Sequence, residues 1–251
     1  MWTNIVADPT ALALAALGVA LGGVLKGAIG AGAPVIGVPM LALAFDVPTA
    51  VVIFSVPNLF SNIWQVWAYR AHHLSGAFTW SFALSGLAGT IVGTFLLVGL
   101  SPGILSYVIA SVVFLYVGFR LMHPQWQLGL KAATRAAAPV GLVSGVLQGA
   151  IGISAPVSIS FLNAMRLERP VFIATVSAFF IAMAGVQIPM VVGFGLMNWE
   201  LTLFGLSALV LILAAMPLGS ALGRRLPRKA FDWLLLVVLT VIATGLLISP
   251  P

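Results

Sequence analysis

The chain has 251 residues, of which 61% are hydrophobic and 6% charged, and its mean hydropathy is +1.17. Soluble domains carry about 25% charged residues, so this composition cannot cover a water-facing surface and excludes a soluble domain. There is no cysteine for disulfide or thiolate chemistry, and the +6 net charge, set between apolar runs, reads as membrane orientation and not as nucleic-acid binding.

Long apolar runs, with none of the short alternating strands of a barrel, predict an all-α integral membrane protein. Residues 1–10 hold no Lys or Arg, which argues against a signal peptide. An Ala/Leu-rich run covers residues 11–26, the glycines at 27, 30 and 32 break it, and Ala33-Pro34 restarts a helix. Proline suits a first helical turn, where its missing N–H costs nothing. The piece from Pro34 to Phe45 is too short to cross alone, because a span needs roughly 20 residues. Residues 11–45 therefore form either one broken crossing or a hairpin that returns to its own side. Three runs of spanning length follow, 48–67, 77–98 and 103–122, and then a polar segment, 123–138, with Lys131 and Arg135. The plan then restarts with a second broken unit at 139–166 and runs at 170–195, 201–222 and 230–248.

The restart is a sequence repeat. Residues 23–35 read GVLKGAIGAGAPV and residues 145–157 read GVLQGAIGISAPV, with ten of thirteen positions identical at an offset of 122. The differences are Lys26 against Gln148, Ala31 against Ile153 and Gly32 against Ser154. At the same offset Pro48 matches Pro170, Ser55 matches Ser177, and Gln65 matches Gln187. Two units are expected, residues 1–122 and 139–251, each a broken helical unit plus three spans, joined by a cytoplasmic linker at 123–138.

Positive charge decides how the broken units lie. Cytoplasmic loops are enriched in Lys and Arg. Here all of those residues except Lys26, which lies inside an apolar unit, fall in 69–76, 120–138, 166–170 and 223–230, while 45–48, 99–103, 195–200 and both chain ends carry none. Equivalent connections fall in opposite groups, as with 45–48 and 166–170. Hairpins followed by three spans satisfy every segment, with inverted repeats and both termini outside. Single broken crossings would put basic loops on both sides. This is the inverted-repeat plan of secondary transporters. The short arm from Pro34 to Phe45 extends about 18 Å at 1.5 Å per residue, so hairpins entering from opposite faces are expected to meet near the midplane.

Their tips, the two glycine motifs, would present helix N-termini with unpaired N–H groups to a small anion. The expected binding residues are Lys26, Gly30, Ala31, Gly32, Ala33, Asn58 and Gln65 in the first half. In the second half they are Gly152, Ile153, Ser154, Ala155, Ser177 and Gln187. Ser55, Asn62 and Thr175 are further polar residues on the same spans. The carboxylates Asp8, Asp46, Glu168, Glu200 and Asp232 all fall at run ends or in loops, which speaks against a cation or a carboxylate proton relay. Each feature also has a structural alternative. Glycines allow close helix packing, Lys26 can snorkel to an interface, serines can bond their own helix, and glutamines can hold helices together. No catalytic cluster, metal site or cofactor is expected. The partners expected are a small anionic substrate and membrane lipid, with a homodimer allowed and no nucleic acid.

Through residues 23–35, their copy at 145–157, and the spans beginning at Pro48 and Pro170, the chain resembles the sulfite exporter TauE/SafE family of membrane anion transporters. The likeness runs from about Ala11 to Ile248. It implies transport of sulfite, organosulfonates or related sulfur-containing anions across a bacterial inner membrane, with an anion channel, or a transporter of another small organic anion, as the alternative. The Ile153-Ser154 pair, where the first copy has Ala31-Gly32, makes the two tips unequal.

Overall fold

The structure, a computed structural model, describes residues 8–72, 74, 76–123, 126–225 and 228–248, the side chains of 228–232 excepted. The extreme ends of the chain, on which the expected side of both termini rests, lie outside the described residues. Among the described residues there are ten helices and no strand. The first half holds α1 (Pro9–Ile29), α2 (Ala33–Ala44), α3 (Val47–Ala68), α4 (Ala77–Gly99) and α5 (Pro102–Met122). The second half repeats the order with α6 (Leu130–Ile151), α7 (Ala155–Ala164), α8 (Arg169–Gly193), α9 (Trp199–Arg225) and α10 (Arg228–Ile248). Six of the described helices, α1, α3, α4, α5, α8 and α9, are long and apolar enough to cross a membrane.

Local chemistry sets the boundaries. Pro9, Pro34, Pro48, Pro156 and Pro170 all sit in first helical turns, where no intrahelical N–H bond is lost. Asp8 accepts from the Thr10 amide at 2.8 Å and Asp46 from the Thr49 amide at 2.7 Å, which satisfies orphan donors at the starts of α1 and α3. At the other end, Gly30 (φ +87°) and Gly152 (φ +70°) close α1 and α6 in the left-handed region. Their amides donate to Lys26 O at 2.7 Å and Gln148 O at 2.9 Å. A side chain is strained in that conformation, so both copies of the motif keep glycine there.

Each broken unit is a helical hairpin. In the first, Gly22 lies against Ala33 and Gly18 against Met40, so α2 runs back along α1. In the second, the Leu128 amide, just before α6, donates to Ala164 O at the end of α7 at 2.8 Å. One boundary differs from expectation. Residues 130–138, expected as part of the linker, are the opening turns of α6. Lys131 and Arg135 misled because they lie on an exposed face, while Ala133 and Ala137 pack inward on the opposite one. The polarity belongs to an amphipathic helix end and not to a loop.

The halves are interlocked, because the hairpin of each packs on the third element of the other. Gly145 and Gly149 of α6 lie on Gly86 and Thr90 of α4, and Gly89 and Gly93 return the contact to Leu142 and Val146. Gly23 and Gly27 of α1 lie on Ile212 and Met216 of α9, with Gly219 against Val24. Residue numbers rise together along both pairs, so each pair is parallel. The glycines at the head of each motif copy are therefore packing residues, as the structural alternative had it, and they let backbones touch. A methyl group on Gly145 would sit 2.0 Å from the Gly86 carbonyl oxygen. Gly145→Ala should cost about 3 kcal/mol by overpacking, read as a lower denaturation midpoint. Gly99→Ala, at a position that has nothing within 4 Å, serves as the control.

Two equivalent helices, α3 and α8, pack together at the centre. The tip of the first hairpin lies near the end of α3, where Gln65 Nε2 donates to Gly30 O at 2.8 Å. The tip of the second lies near the start of α3, where Gly152 faces Val51. The contacts are reciprocal, since Gly30 faces Ile173, the counterpart of Val51 in α8. α3 and α8 consequently run antiparallel. The tips do not meet at one level, as expected from the short arms alone. They pass each other, Gly32 beside Ile159 of α7 and Gly152 beside Val38 of α2. The long arms explain the difference. At 21 and 22 residues, α1 and α6 extend about 31–33 Å, the full thickness of a hydrocarbon core.

Candidate functional site

α3 carries a polar stripe between the levels of the two tips. Ser55, Asn58, Asn62 and Gln65 recur at helical spacing, and all are buried. Asn58 stands near the middle of the helix. The stripe joins the first tip through Lys26, whose Nζ donates to Asn62 Oδ1 at 2.8 Å, and through Gln65. It joins α8 through Ser177, whose hydroxyl donates to Gln65 Oε1 at 3.1 Å. Lys26, Gly30, Gln65 and Ser177 therefore form one network with Asn58 and Asn62. Lys26 is 2% exposed, so it does not snorkel. No described acidic side chain bonds to it: Asp8, Asp46 and Glu168 are helix N-caps and Glu200 lies in the first turn of α9.

The second tip builds a separate and uncharged cluster. Gln148 Nε2 donates to Gln187 Oε1 at 3.2 Å, and the Ser154 hydroxyl donates to Gln148 Oε1 at 3.1 Å. Gln187 and Ser154 thus meet each other through Gln148 and do not meet Lys26. Ser55 and Thr175 bond their own helices, at Val52 O and Val171 O, and are structural. The tips also differ in backbone, as their sequences predict. Gly32 is left-handed at φ +88°, whereas Ser154 in its place is right-handed at φ −99°.

Both tips share one arrangement, in which carbonyls near the end of the long helix accept from side chains of other helices while the amides that follow donate to nothing described. At the end of α1, Gly27 O accepts from Ser220 at 3.0 Å, Ala28 O from Arg169 at 3.3 Å, and Gly30 O from Gln65. At the end of α6, Gln148 O and Gly149 O accept from Gln187 at 3.1 and 3.4 Å. Capping these carbonyls offsets the partial negative charge of a helix C-terminus. The amides of Ala31, Gly32 and Ala33, and of Ile153, Ser154 and Ala155, donate to no acceptor among the described residues, although all six residues are buried. Buried N–H groups without partners are rare, and free donors at a helix N-terminus suit an anion.

Arg169 and Ser220 were not legible as site residues. Their roles depend on α8 and α9 meeting the end of α1, and nothing near them in sequence records that. Gln148 was visible as the counterpart of Lys26.

A family model described as Sulfite exporter TauE/SafE matches residues 14–246 of the chain. The chain belongs to the sulfite exporter TauE/SafE family. The family is one of membrane sulfite and anion exporters. No curated protein and no solved structure matches it.

Proposed function

We propose that this TauE/SafE protein is a secondary transporter of a small sulfur-containing anion, such as sulfite or an organosulfonate, across a bacterial inner membrane. The halves lie inverted in that membrane with both termini outside, and the anion binds between the hairpin tips along the polar stripe of α3. Antiparallel packing of the equivalent helices α3 and α8, together with basic residues on alternate connections, supports the inversion. Alternating access follows from rocking one half against the other about this seam.

The observation that carries the reading is the buried Lys26 within a seam of donors. A full positive charge out of water is costly unless something negative pairs with it, and an anionic substrate supplies that partner. The test is uptake of radiolabelled sulfite into proteoliposomes holding the purified protein. Saturable flux that speeds up with unlabelled sulfite on the opposite side is the expected result. Conduction without saturation or counterflow would mark a channel, and no flux of any sulfur anion would end the proposal.

A further inference from the structure

Lysine carries three N–H donors and no acceptor. Asn62 must therefore turn its Oδ1 toward Lys26 Nζ, as it does at 2.8 Å. This orientation fixes the rest of the amide, and Asn62 Nδ2 donates to Asn58 O at 2.6 Å and to Asn58 Oδ1 at 2.9 Å. Asn58 in turn presents its oxygen to Asn62, so its Nδ2 points away. That nitrogen is buried and meets no acceptor among the described residues. The polarity set at Lys26 thus propagates along one chain of amides and ends on a free donor in the middle of α3. Two N–H bonds of Lys26 and two of Asn58 remain unspent.

The second half lacks this set. At the 122-residue offset, Lys26, Asn58 and Asn62 become Gln148, Phe180 and Ala184. Gln148 spends both ends of its amide on Gln187 and Ser154. The scaffold is doubled, but the charge is not.

We infer that Lys26 Nζ and Asn58 Nδ2 are the two ends of a single oxyanion site, one per chain, that selects monoanions over dianions. This rests on the transport reading above and specifies its ligand. One formal charge faces the site from α1, and the groups facing it from α3 and α8 (Asn62, Gln65, Ser177) are neutral. Arg169 is directed to the carbonyls of Gly27 and Ala28. A bound monoanion cancels Lys26 and accepts the unspent N–H bonds through its oxygens. A dianion leaves one uncompensated negative charge out of water, which is strongly disfavoured. The site therefore fits a sulfonate, R–SO₃⁻, or hydrogensulfite, and rejects sulfate.

The test is isothermal titration of the purified full-length protein with methanesulfonate and with sulfate at one pH. Neither probe changes its charge near neutrality. One methanesulfonate per chain is expected, with sulfate at least tenfold weaker. Asn58→Leu should weaken methanesulfonate at least tenfold without lowering the melting temperature, because it removes a buried Nδ2 that has no partner, while Asn62 Nδ2 keeps its bond to the carbonyl of residue 58. Ser106→Ala, at a hydroxyl of α5 bonded to its own helix at Pro102 O, should leave binding unchanged. Sulfate binding as tightly as methanesulfonate, two anions per chain, no binding of either probe, or a folded Asn58→Leu protein with wild-type affinity would each overturn the inference. The wild-type comparison stands even where a variant does not fold. Sulfite flux that persists without charge discrimination overturns only this inference, whereas loss of all flux overturns the transport reading as well.

Discussion

Lys26→Met should abolish anion binding and at the same time make the anion-free protein more stable. Lys26 is among the largest fully buried side chains, and its one hydrogen bond is to the neutral Asn62. Burying a charge without a described counter-ion is costly, so an apolar side chain of similar length removes more cost than the lost bond to Asn62 adds, and methionine adapts to irregular space. Anion binding should fall by at least 100-fold, because the charge and two unspent donors leave together. The check is thermal denaturation with and without methanesulfonate. Wild-type protein at 100 times its dissociation constant gains about 2.7 kcal/mol from ligand, and the variant should gain nothing from a higher baseline. A variant that keeps its ligand-induced shift would return Lys26 to a structural role.

Gly30→Leu should eliminate transport, and even Gly30→Ala should be worse tolerated than Gly152→Ala. Both glycines are left-handed, which costs an L-residue about 1–2 kcal/mol. They differ in surroundings. A Cβ on Gly30 would lie 2.5 Å from Ile173 Cγ1, whereas one on Gly152 would lie 3.2 Å from Val51 Cγ2. Overpacking adds about 1–3 kcal/mol at Gly30. The backbone of Gly30 also donates to Lys26 O and accepts from Gln65. A shift there displaces the lysine and the glutamine together. Sulfite flux in proteoliposomes, with the denaturation midpoint measured on the same preparations, separates lost folding from lost transport. Wild-type flux in a Gly30→Leu protein would remove the first tip from the mechanism.

These two positions show why part of the molecule could be read in advance. A left-handed turn admits few residues, so glycine at 30 and 152 and proline at 34 and 156 mark the hairpin turns by necessity. Charge at loops is similarly constrained by the membrane. Packing partners have no such code. Gly23 and Gly27 show a helix face that must be approached closely, but only the fold says that α9 approaches it. The start of α6 was obscured because Lys131 and Arg135 look like a linker when the buried Ala133 and Ala137 between them are too small to stand out. The end of α1 was placed a few residues early because Gly27 lies within the helix and only Gly30 closes it. Within the site, Lys26, Gln65 and Ser177 were recognisable as polar residues on apolar elements. That they share a network apart from Gln187 and Ser154 follows from the passing of the tips.

Selenite is the heavy counterpart of sulfite and scatters X-rays anomalously, so a crystal of the protein soaked in it locates the anion directly. A single anomalous peak within hydrogen-bonding distance of Lys26 Nζ and Asn58 Nδ2, absent from Lys26→Met crystals, is the predicted result. Peaks that leave the seam between the hairpin tips empty and occupy another part of the molecule would contradict it.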